Sequence, residues 1–492
     1  MVQGPAWVLL AVWLLLAVPL FIAMPLNSDT ALYDVQARRV MDGGSAYRDI
    51  LEPNLPGALW IHIAVRSVAG WSSEVMRCAD LLIAAGILCL GSLMLPRRGA
   101  PVPVFCVAVA LFYLSRNEWC HAQRDTWMLL PALSAVWLRW KRRDSEWSGA
   151  AVLEGICWGA ACWIKPHIII PAGAVILSDL LTQARLGKMR DCGAVVSGGL
   201  VTAFPGVVWL VATGAWTHFS EMMLDWNPEY LASGRERMSL IRWDYLIRRF
   251  APWPAVHLAA IPVAVMGIRR GWNSPNAVIH RQTMLTAVFY LGWLVQSVAI
   301  QHALDYIHVP AVVLGLLVIS GHSWTMSVHI RRAVAGAFAS LSLMCTPMLQ
   351  PERLCVWPTV WTEGSSFAVR SALAHGNLPD WTNLSQVTRF LNEQRATDGD
   401  VTCLNVHSVH VYSELKIHPS TRYWCVSILQ ELFPQRAAAI QKNVLGSNHR
   451  FVVVEGQEAD LTNSGGKTAP WLDTLPLIFE SGSYRVYDAT GE

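Results

Sequence analysis

Long apolar runs separated by short polar segments dominate the first 350 positions of the chain. The apolar core of a bilayer is about 30 Å thick and needs roughly 20 helical residues to cross. The first run has no basic residues before it and no convincing cleavage site after it, so we expect a retained first span. The pattern predicts eleven membrane-spanning helices, at about residues 7–26, 76–95, 101–115, 126–140, 150–164, 166–182, 192–212, 251–268, 283–300, 306–320 and 333–349.

The pattern changes after Gln350, where charges are scattered and short alternating segments appear. Period-two alternation indicates strands at 401–406, 410–415 and 450–456 and a closing hairpin at 477–490, while helical spacing indicates helices at 381–395 and 428–444. We therefore predict a polytopic α-helical membrane protein. Residues 1–349 form its transmembrane domain, and residues 350–492 form a small C-terminal α/β domain.

Composition agrees with this fold class. The chain is 53% hydrophobic and only 15% charged, which excludes an ordinary soluble enzyme. A net charge of +3 without a dense basic tract argues against a nucleic-acid partner. Three cysteines of the tail, Cys355, Cys403 and Cys425, offer one disulfide in an oxidising compartment, and the pairing stays open.

Basic residues in short loops mark the cytoplasmic side of a membrane protein. Under the predicted spans, five such loops fall on one side of the bilayer. They contain Arg97 and Arg98; Lys141, Arg142 and Arg143; Arg185, Lys188 and Arg190; Arg269, Arg270 and Arg281; and Arg331 and Arg332. The first polar loop, segment 116–125, the long loop 213–250 and the tail are then extracytoplasmic, in a multi-pass protein of the plasma (inner) membrane.

The first polar loop, Asn27 to Trp60, has an internal order that a simple connector does not need. Asn27 or Ser28 is suited to cap a helix from about Thr30 to Met41, and the Gly43-Gly44 pair is suited to end it. The charged members of the loop include Asp29, Arg38, Arg39, Arg48 and Glu52. Two interpretations remain open: the loop is the wall of a site, or Asp29 only supports a helix N-terminus.

Three further polar groups are predicted on the same face. Segment 115–127 contains Arg124 and Asp125, and it is either part of a site or a solvated turn. Lys165, at the far end of an apolar hairpin, faces a polar cavity or extends to the headgroups. The long loop contains Arg242, Arg248 and Arg249, which are suited to bind phosphate or are neutralised by nearby acids, and Tyr306 begins the tenth span close to this surface.

The first loop also resembles a known family. An acidic residue after the first span, a helix ending in a Gly pair and the Pro-rich stretch Tyr47 to Gly57 are similar to the GT-C superfamily of integral membrane glycosyltransferases. Its members include protein O-mannosyltransferases and lipid A aminoarabinose transferases. The resemblance covers roughly residues 7 to 350 and implies a polyprenyl-phosphate sugar donor and a second acidic residue in the next loop, here Asp125. Many relatives have a lysine where this chain has Asn54.

We therefore expect a membrane glycosyltransferase that moves a sugar from a polyprenyl-phosphate lipid to an extracytoplasmic glycan, lipid or protein acceptor, with inversion. The predicted catalytic carboxylates are Asp29, Asp125 and Glu52. The predicted substrate-binding residues are Arg38, Arg39, Arg48, Asn54, Arg124, Lys165, Arg242, Arg248, Arg249 and Tyr306.

Cofactors and rival functions stay open at this stage. No metal-binding spacing or phosphate-binding glycine loop is present in the sequence, although loop carboxylates are able to hold a divalent cation. One rival is a transporter or flippase of a lipid-linked or anionic solute, which predicts ionisable residues at mid-membrane. Another is a non-catalytic assembly protein whose tail binds partners.

Overall fold

The computed structural model describes residues 3–96, 101–142, 148–182, 188–236, 240–274, 278–301, 304–322, 328–377, 379–456 and 470–490. The helices are α1 (Gln3–Ala23), α2 (Ser28–Met41), α3 (Gly57–Ala69), α4 (Ser73–Leu93), α5 (Pro101–Leu114), α6 (Arg124–Lys141), α7 (Ser148–Ile164), α8 (Ile169–Thr182), α9 (Lys188–Ala212), α10 (Trp216–Glu221), α11 (Asn227–Glu236), α12 (Leu240–Phe250), α13 (Ala255–Asn273), α14 (Val278–Ala299), α15 (Asp305–Ser320), α16 (Val328–Met344), α17 (Pro351–Leu354), α18 (Trp357–Glu363), α19 (Phe367–Leu373), α20 (Trp381–Glu393), α21 (His410–Leu415), α22 (Val426–Leu432) and α23 (Ala437–Leu445). The strands are β1 (Val401–Cys403), β2 (Phe451–Glu455), β3 (Leu477–Ser481) and β4 (Tyr484–Asp488).

Each predicted span overlaps a helix, but the count of eleven spans is not confirmed. In the described part of the chain, three helices are long and apolar enough to cross a membrane, at Gly4–Ala23, Ser73–Leu93 and Arg190–Ala212. A fourth is obtained when α12 and α13, bent by 96°, are counted as one span. Several other apolar helices have only 10–17 residues, and they include α3, which the sequence analysis did not assign as a span.

An apolar core joins α5, α6, α14 and α15 and is built from large side chains such as Phe112, Met128 and Trp293. The outer surface is apolar as well. Phe204 is 72% exposed and Leu258 is 79% exposed, each on a long apolar helix. Since a soluble protein rarely exposes large apolar patches, this surface is suited to contact lipid.

Ion pairs that the sequence analysis did not predict join helix ends on the side opposite the first loop. The Arg281 guanidinium on α14 pairs with Asp179 on α8, at 2.8 Å from Nε to Oδ1. Its remaining N–H groups also donate to the end of α6, to the carbonyls of Arg139, Trp140 and Arg142. Five donors in a fixed planar arrangement are available only to arginine. Buried charges are tolerated here because they are paired.

Arg139 extends this paired network. Its guanidinium contacts Glu154 on α7 at 2.6 Å and Asp179 at 3.1 Å. The network therefore joins α6, α7, α8 and α14, and three of these helices carry or flank the residues of the site described below.

The tail forms a four-stranded sheet with the order β1-β2-β4-β3. β1 and β2 are parallel, and the predicted hairpin 477–490 is confirmed as the antiparallel pair β3 and β4. The predicted helix 381–395 is confirmed as α20. The thiols of Cys403 and Cys425 donate to backbone carbonyls, at 3.1 and 3.3 Å.

Two predictions for the tail are wrong. Segment 410–415 is the helix α21 rather than a strand, because six residues are too few for alternation to distinguish the two structures. Its first three residues are all buried, and the Tyr412 hydroxyl donates to the backbone of Val401. The single helix predicted at 428–444 is two helices, interrupted at Pro434.

The tail packs directly onto the first polar loop. One apolar core contains Leu32 and Val35 of α2 together with Val411 and Val453 of the tail. Backbone pairing adds to it, since the Leu51 amide donates to the Arg422 carbonyl at 2.9 Å. The first loop is therefore held between the membrane part and the tail, and the domain boundary at 349/350 stays a prediction.

Gly198→Ala is expected to destabilise the protein. A Cβ at this position of α9 would lie 2.0 Å from the Val152 carbonyl oxygen of α7, and backbone atoms cannot move aside as a flexible side chain can. We expect a loss of about 1–3 kcal/mol. Gly173→Ala is the matched control, because nothing lies within 4 Å of its added Cβ. Thermal unfolding in detergent should show a lower Tm for the first variant only; equal Tm values would contradict the close approach of α7 and α9.

Candidate functional site

Asn27 fixes the start of α2, as predicted, and it also holds the second loop. Its Oδ1 accepts from the backbone amide of Thr30 at 2.8 Å, which is a helix N-cap. Its Nδ2 donates to the carbonyls of Glu118 and His121 at 3.0 and 2.9 Å. The predicted end of α2 is confirmed too, since Gly43 has a φ of 91°. One side chain thus positions two segments that lie 91 and 94 residues away from it.

Asp29 lies in the first turn of α2 and faces the second loop. Its Oδ2 accepts from Gln123 Nε2 at 3.3 Å, and in the described structure no cation forms an ion pair with it. The residue is half-buried, and this burial raises the pKa of its carboxyl group, while the charges of Arg124 and Lys165 act to lower it. Asp29 is therefore a carboxylate with partial access that is not neutralised by direct contact.

Arg124 is the unpaired cation nearest to this carboxylate. Its guanidinium lies 5.9 Å from the ring centroid of Tyr33, and it makes no hydrogen bond or ion pair within the residues that the structure describes. The Tyr33 hydroxyl is buried and also lacks a hydrogen-bond partner there. A half-buried guanidinium beside an unsatisfied hydroxyl is an arrangement suited to an anionic ligand.

Asp125 and Lys165 form a buried ion pair, at 2.7 Å from Nζ to Oδ2. Asp125 comes from the first turn of α6, and Lys165 from the turn that links α7 to α8. The second oxygen, Asp125 Oδ1, is buried without a partner in the described structure. Tyr306 lies beside the pair, with its ring centroid 6.0 Å from Lys165 Nζ. Lys165 is thus turned inward rather than toward headgroups.

Glu52 is held in a fixed orientation by neutral donors. Gln36 Nε2 donates to it at 2.7 Å and the Asn54 amide at 3.0 Å. Burial raises the pKa of the Glu52 carboxyl, and the charge of Arg124 lowers it. Glu52 and Asn54 therefore support each other close to the same cation.

The arginines of the first loop do not join this group. Arg38 stacks over the Trp71 ring at 4.2 Å from its centroid. Arg39 and Arg48 both contact the Asp49 carboxylate, at 3.5 and 2.7 Å, and keep side-chain exposures of 38% and 52%. These three predicted binding residues lie toward the outside of the molecule.

The long-loop arginines are also paired. Arg248 is 79% exposed in its side chain and forms a helical ion pair with Asp244 at 2.9 Å. Arg249 forms an ion pair with Asp305, whose charge in turn acts on Asp29. Arg242 lies in α12, and its side chain is outside the described residues.

The sequence analysis assigned no role at the site to three uncharged residues that lie near Asp29 and Arg124. Gln123, Tyr33 and Tyr230 have no charge, so the pattern of charged residues gave no signal for them, although each stands next to a charged residue in the chain. The charges of Asp29 and Arg124 act on the Tyr33 hydroxyl, and Tyr230 acts on it as well. Asp34, by contrast, is buried in contact with His62 and Arg66, which satisfy it internally.

An apolar recess of about 500 Å³ opens between α3, α7 and α9. Trp60, Trp163 and Trp209 line it, and Ile164, next to Lys165 in the chain, lies at its edge. Gly57 and Gly206 allow α3 and α9 to approach Trp163 closely, since a Cβ at either position would meet Trp163 within 2.6 Å. The recess therefore begins at the segment that also carries the Asp125–Lys165 pair.

The described residues contain no group of three or more His, Cys, Asp or Glu side chains arranged to hold a metal ion. Two of the predicted catalytic carboxylates are in direct contact with an amide or a basic group instead, Asp29 with Gln123 and Asp125 with Lys165.

The fold is similar to that of a protein of known structure. ArnT from Cupriavidus metallidurans in the apo state superposes with a TM-score of 0.57 at 15% identity, over 99% of this chain and 98% of that one. An oligosaccharyltransferase from Archaeoglobus fulgidus, in complex with Zn and sulfate, gives a TM-score of 0.45 at 10% identity, over 92% of this chain and 68% of that one. No family model and no curated protein matches the sequence.

The chain therefore shares the fold of ArnT, and this likeness supports the GT-C resemblance expected from the first loop. The likeness to ArnT extends over nearly the full length of both chains. At 15% identity this likeness defines the fold and leaves the reaction to be argued from the site.

Asn27→Asp tests how Asn27 holds the two loops. Asp is as good an N-cap as Asn, so α2 alone should tolerate the change. The new carboxylate would face the Glu118 and His121 carbonyls, however, and replace two donated hydrogen bonds with repulsion. We expect a loss of about 2–4 kcal/mol. Thermal unfolding measures it, and Ser366→Asp, at an N-cap whose side chain contacts the next turn, is the control. A wild-type Tm for Asn27→Asp would show that the second loop is held by other contacts.

Proposed function

We propose that the protein is a membrane glycosyltransferase that moves a sugar from a polyprenyl-phosphate lipid to a hydroxyl group of an extracytoplasmic acceptor. Asp29 is the general base, and Arg124 with Lys165 stabilises the phosphate that leaves. The likeness to ArnT supports the general class of reaction, and the residues at the site support the assignment of roles.

The observation that carries the proposal is that Asp29 and Arg124 are opposite charges close enough to influence each other, yet neither is neutralised by direct contact within the described residues. Unpaired charges in partly buried positions are unfavourable unless a ligand or a reaction uses them. The other acids of this region have partners: Asp125 contacts Lys165 and Asp305 contacts Arg249. A substrate that has a hydroxyl for Asp29 and a phosphate for Arg124 satisfies both groups.

The proposed reaction is a single displacement. The Asp29 carboxylate accepts the proton of the acceptor hydroxyl, and the acceptor oxygen forms a bond to the anomeric carbon. The bond from that carbon to the phosphate oxygen breaks at the same time, and the electron pair leaves on the phosphate. Arg124 and Lys165 stabilise the negative charge that develops on this group. Attack opposite to the leaving group inverts the anomeric centre.

The apolar recess is suited to the lipid chain of the donor. Its lining of Trp60, Trp163 and Trp209 provides an apolar contact surface, and it begins beside Ile164 and Lys165. An isoprenoid in this recess would bring its phosphate toward the Asp125–Lys165 pair and Tyr306. Glu52, held by Gln36 and Asn54, would balance the charge of Arg124 from the side of the first loop.

The same assignment places the protein in the plasma (inner) membrane as a multi-pass enzyme, with the site and the tail on the extracytoplasmic side. Arg38, Arg39, Arg48, Arg248 and Arg249 then lie around the site as an outer set of cations that are already paired or stacked. Their role would be to attract an anionic lipid rather than to contact the reacting phosphate. A divalent cation remains compatible with the proposal, and a transfer assay with and without chelator decides whether it is needed.

Asp29→Asn is expected to abolish transfer. The substitution keeps the shape of the side chain and its contact with Gln123 but removes the base, so kcat should fall by at least about a hundredfold. The assay follows a radiolabelled polyprenyl-phosphate sugar with detergent-solubilised protein. Asp244→Asn, a similar change at an exposed carboxylate of the long loop, is the control and should keep wild-type kcat. Because burial raises the pKa of Asp29, the wild-type rate should also fall on acidification earlier than for an exposed aspartate. Near wild-type sugar transfer by a folded Asp29→Asn variant would contradict the assignment of Asp29 as the general base.

Tyr33→Phe separates a binding hydroxyl from a structural one. The Tyr33 hydroxyl has no partner in the described structure, so its removal should leave Tm unchanged or higher. If it donates to the donor phosphate beside Arg124, the donor KM should rise about tenfold. Tyr47→Phe is the matched control, because the Tyr47 hydroxyl donates internally to the Asn54 carbonyl at 2.7 Å. That variant should lose about 1 kcal/mol of stability and keep its KM. A Tyr33→Phe variant with lower stability and an unchanged donor KM would place the phosphate away from Tyr33.

A further inference from the structure

We infer that the tail positions the proposed base through His407, so that the first turn of α2 is held in its reactive orientation by a residue almost 380 positions further along the chain. The inference rests on the proposed function and adds a positioning residue to it. His407 does not reach the reacting atoms; it acts through two separate sets of contacts that both end at Asp29.

The first set of contacts passes through Ser28, the residue before Asp29. Ser28 Oγ lies 3.5 Å from His407 Nδ1 and 3.5 Å from His410 Nε2. All three side chains are buried, with exposures of 2% for Ser28, 6% for His407 and 2% for His410. The hydroxyl is therefore enclosed between two imidazoles of the tail. A rotation of the first turn of α2 would break both contacts.

The second set passes through the second loop. The His407 ring packs edge-on against Trp119, with ring centroids 5.5 Å apart. The Trp119 carbonyl accepts from Gln123 Nε2 at 3.3 Å, and the same amide donates to Asp29 Oδ2 at 3.3 Å. His407 thus supports both the backbone that carries Asp29 and the amide that orients its carboxylate.

The imidazoles themselves are held rigidly by the tail. The His410 ring packs against Trp381 of α20, with centroids 4.8 Å apart. Burial lowers the pKa of His407 to about 4 and that of His410 to about 3, with a further lowering of the latter by the charges of His407 and Arg370. Both rings are therefore neutral at pH 7, and each offers the Ser28 hydroxyl a nitrogen rather than a charge.

A second contact between the tail and α2 provides a natural control. His418 Nε2 lies 3.0 Å from Asp42 Oδ2, at the opposite end of α2. Asp42 is thirteen residues after Asp29, which corresponds to about 20 Å along a helix. Both histidines are buried at the same interface, so their removal should weaken the packing of the tail to a similar extent. Of the two histidines, only His407 has contacts that lead to Asp29, through Ser28 and through Trp119.

The test compares His407→Ala, His407→Asn and His418→Ala in the full-length protein. Hydrogen exchange followed by mass spectrometry reports peptides that cover residues 28–36 and 42–50, and radiolabelled polyprenyl-phosphate sugar reports kcat and donor KM. We expect His407→Ala to raise exchange in 28–36 and to lower kcat by at least about tenfold with donor KM within about twofold, because misplacement of a reacting group affects the chemical step. His407→Asn keeps a polar atom near the position of Nδ1, so it should restore most of the protection from exchange in 28–36 and most of kcat. His418→Ala should raise exchange only near residue 42.

Native exchange in 28–36 for a folded His407→Ala variant would overturn the inference, as would an equal loss of kcat in His418→Ala. If His407→Ala does not fold, His407→Asn decides by the same two measurements. If wild-type protein transfers no sugar, the proposed function fails, whereas the exchange comparison still determines whether His407 holds the first turn of α2.

Discussion

The pairing of charges at one end of the helical bundle is the constraint on which the rest of the structure depends. Charged groups that leave water lose favourable hydration, and in proteins they regain it by pairing, by hydrogen bonds or by binding a ligand. Here Asp34 is paired with Arg66, Asp125 with Lys165 and Asp305 with Arg249. Among the residues that the structure describes, Asp29 has a hydrogen bond from the Gln123 amide alone, and Arg124 contacts the face of the Tyr33 ring without a hydrogen bond or ion pair. In the described site, Asp29 and Arg124 are left for a substrate to satisfy, whereas Glu52, which also has no ion pair there, is held by Gln36 and Asn54.

Contacts distant in the chain keep those two groups together. Asn27 joins the start of α2 to the loop that carries Arg124, and the tail covers α2 from the other side. At the opposite end of the bundle, the paired network around Arg139 and Arg281 joins helices α6, α7, α8 and α14. Asp125 and Lys165 lie at the other ends of α6 and α7, so a stable bundle fixes their distance as well. The rigidity of the site therefore comes from polar contacts at both ends of helices whose outer surfaces are apolar.

The sequence predicted the features that neighbouring residues determine by themselves, such as the two ends of α2. The Asn-Ser-Asp start and the Gly-Gly end of α2 were readable because capping and left-handed turns use few residue types. The Asn27 amide was readable only as a cap, since the carbonyls that accept from it are remote in sequence. Lone charges inside apolar runs, such as Glu154 and Asp179, were not recognised because pairing between helices leaves no periodic trace. Segment 410–415 was assigned to a strand from a short alternating pattern, but its packing as a helix against α2 overrides that pattern. Tyr33 and Gln123 have no charge and so drew no attention, although they lie beside the two unpaired groups.

The most direct test of the proposed site is to determine the structure of the protein with a short-chain polyprenyl phosphate bound. We expect the phosphate to lie within hydrogen-bond distance of Arg124, near Lys165 and Tyr306, with the isoprenoid chain in the recess lined by Trp60, Trp163 and Trp209. Asp29 should face the vacant side of the phosphate, where an acceptor would enter. A phosphate bound away from Arg124, or a chain bound outside the recess, would contradict the account.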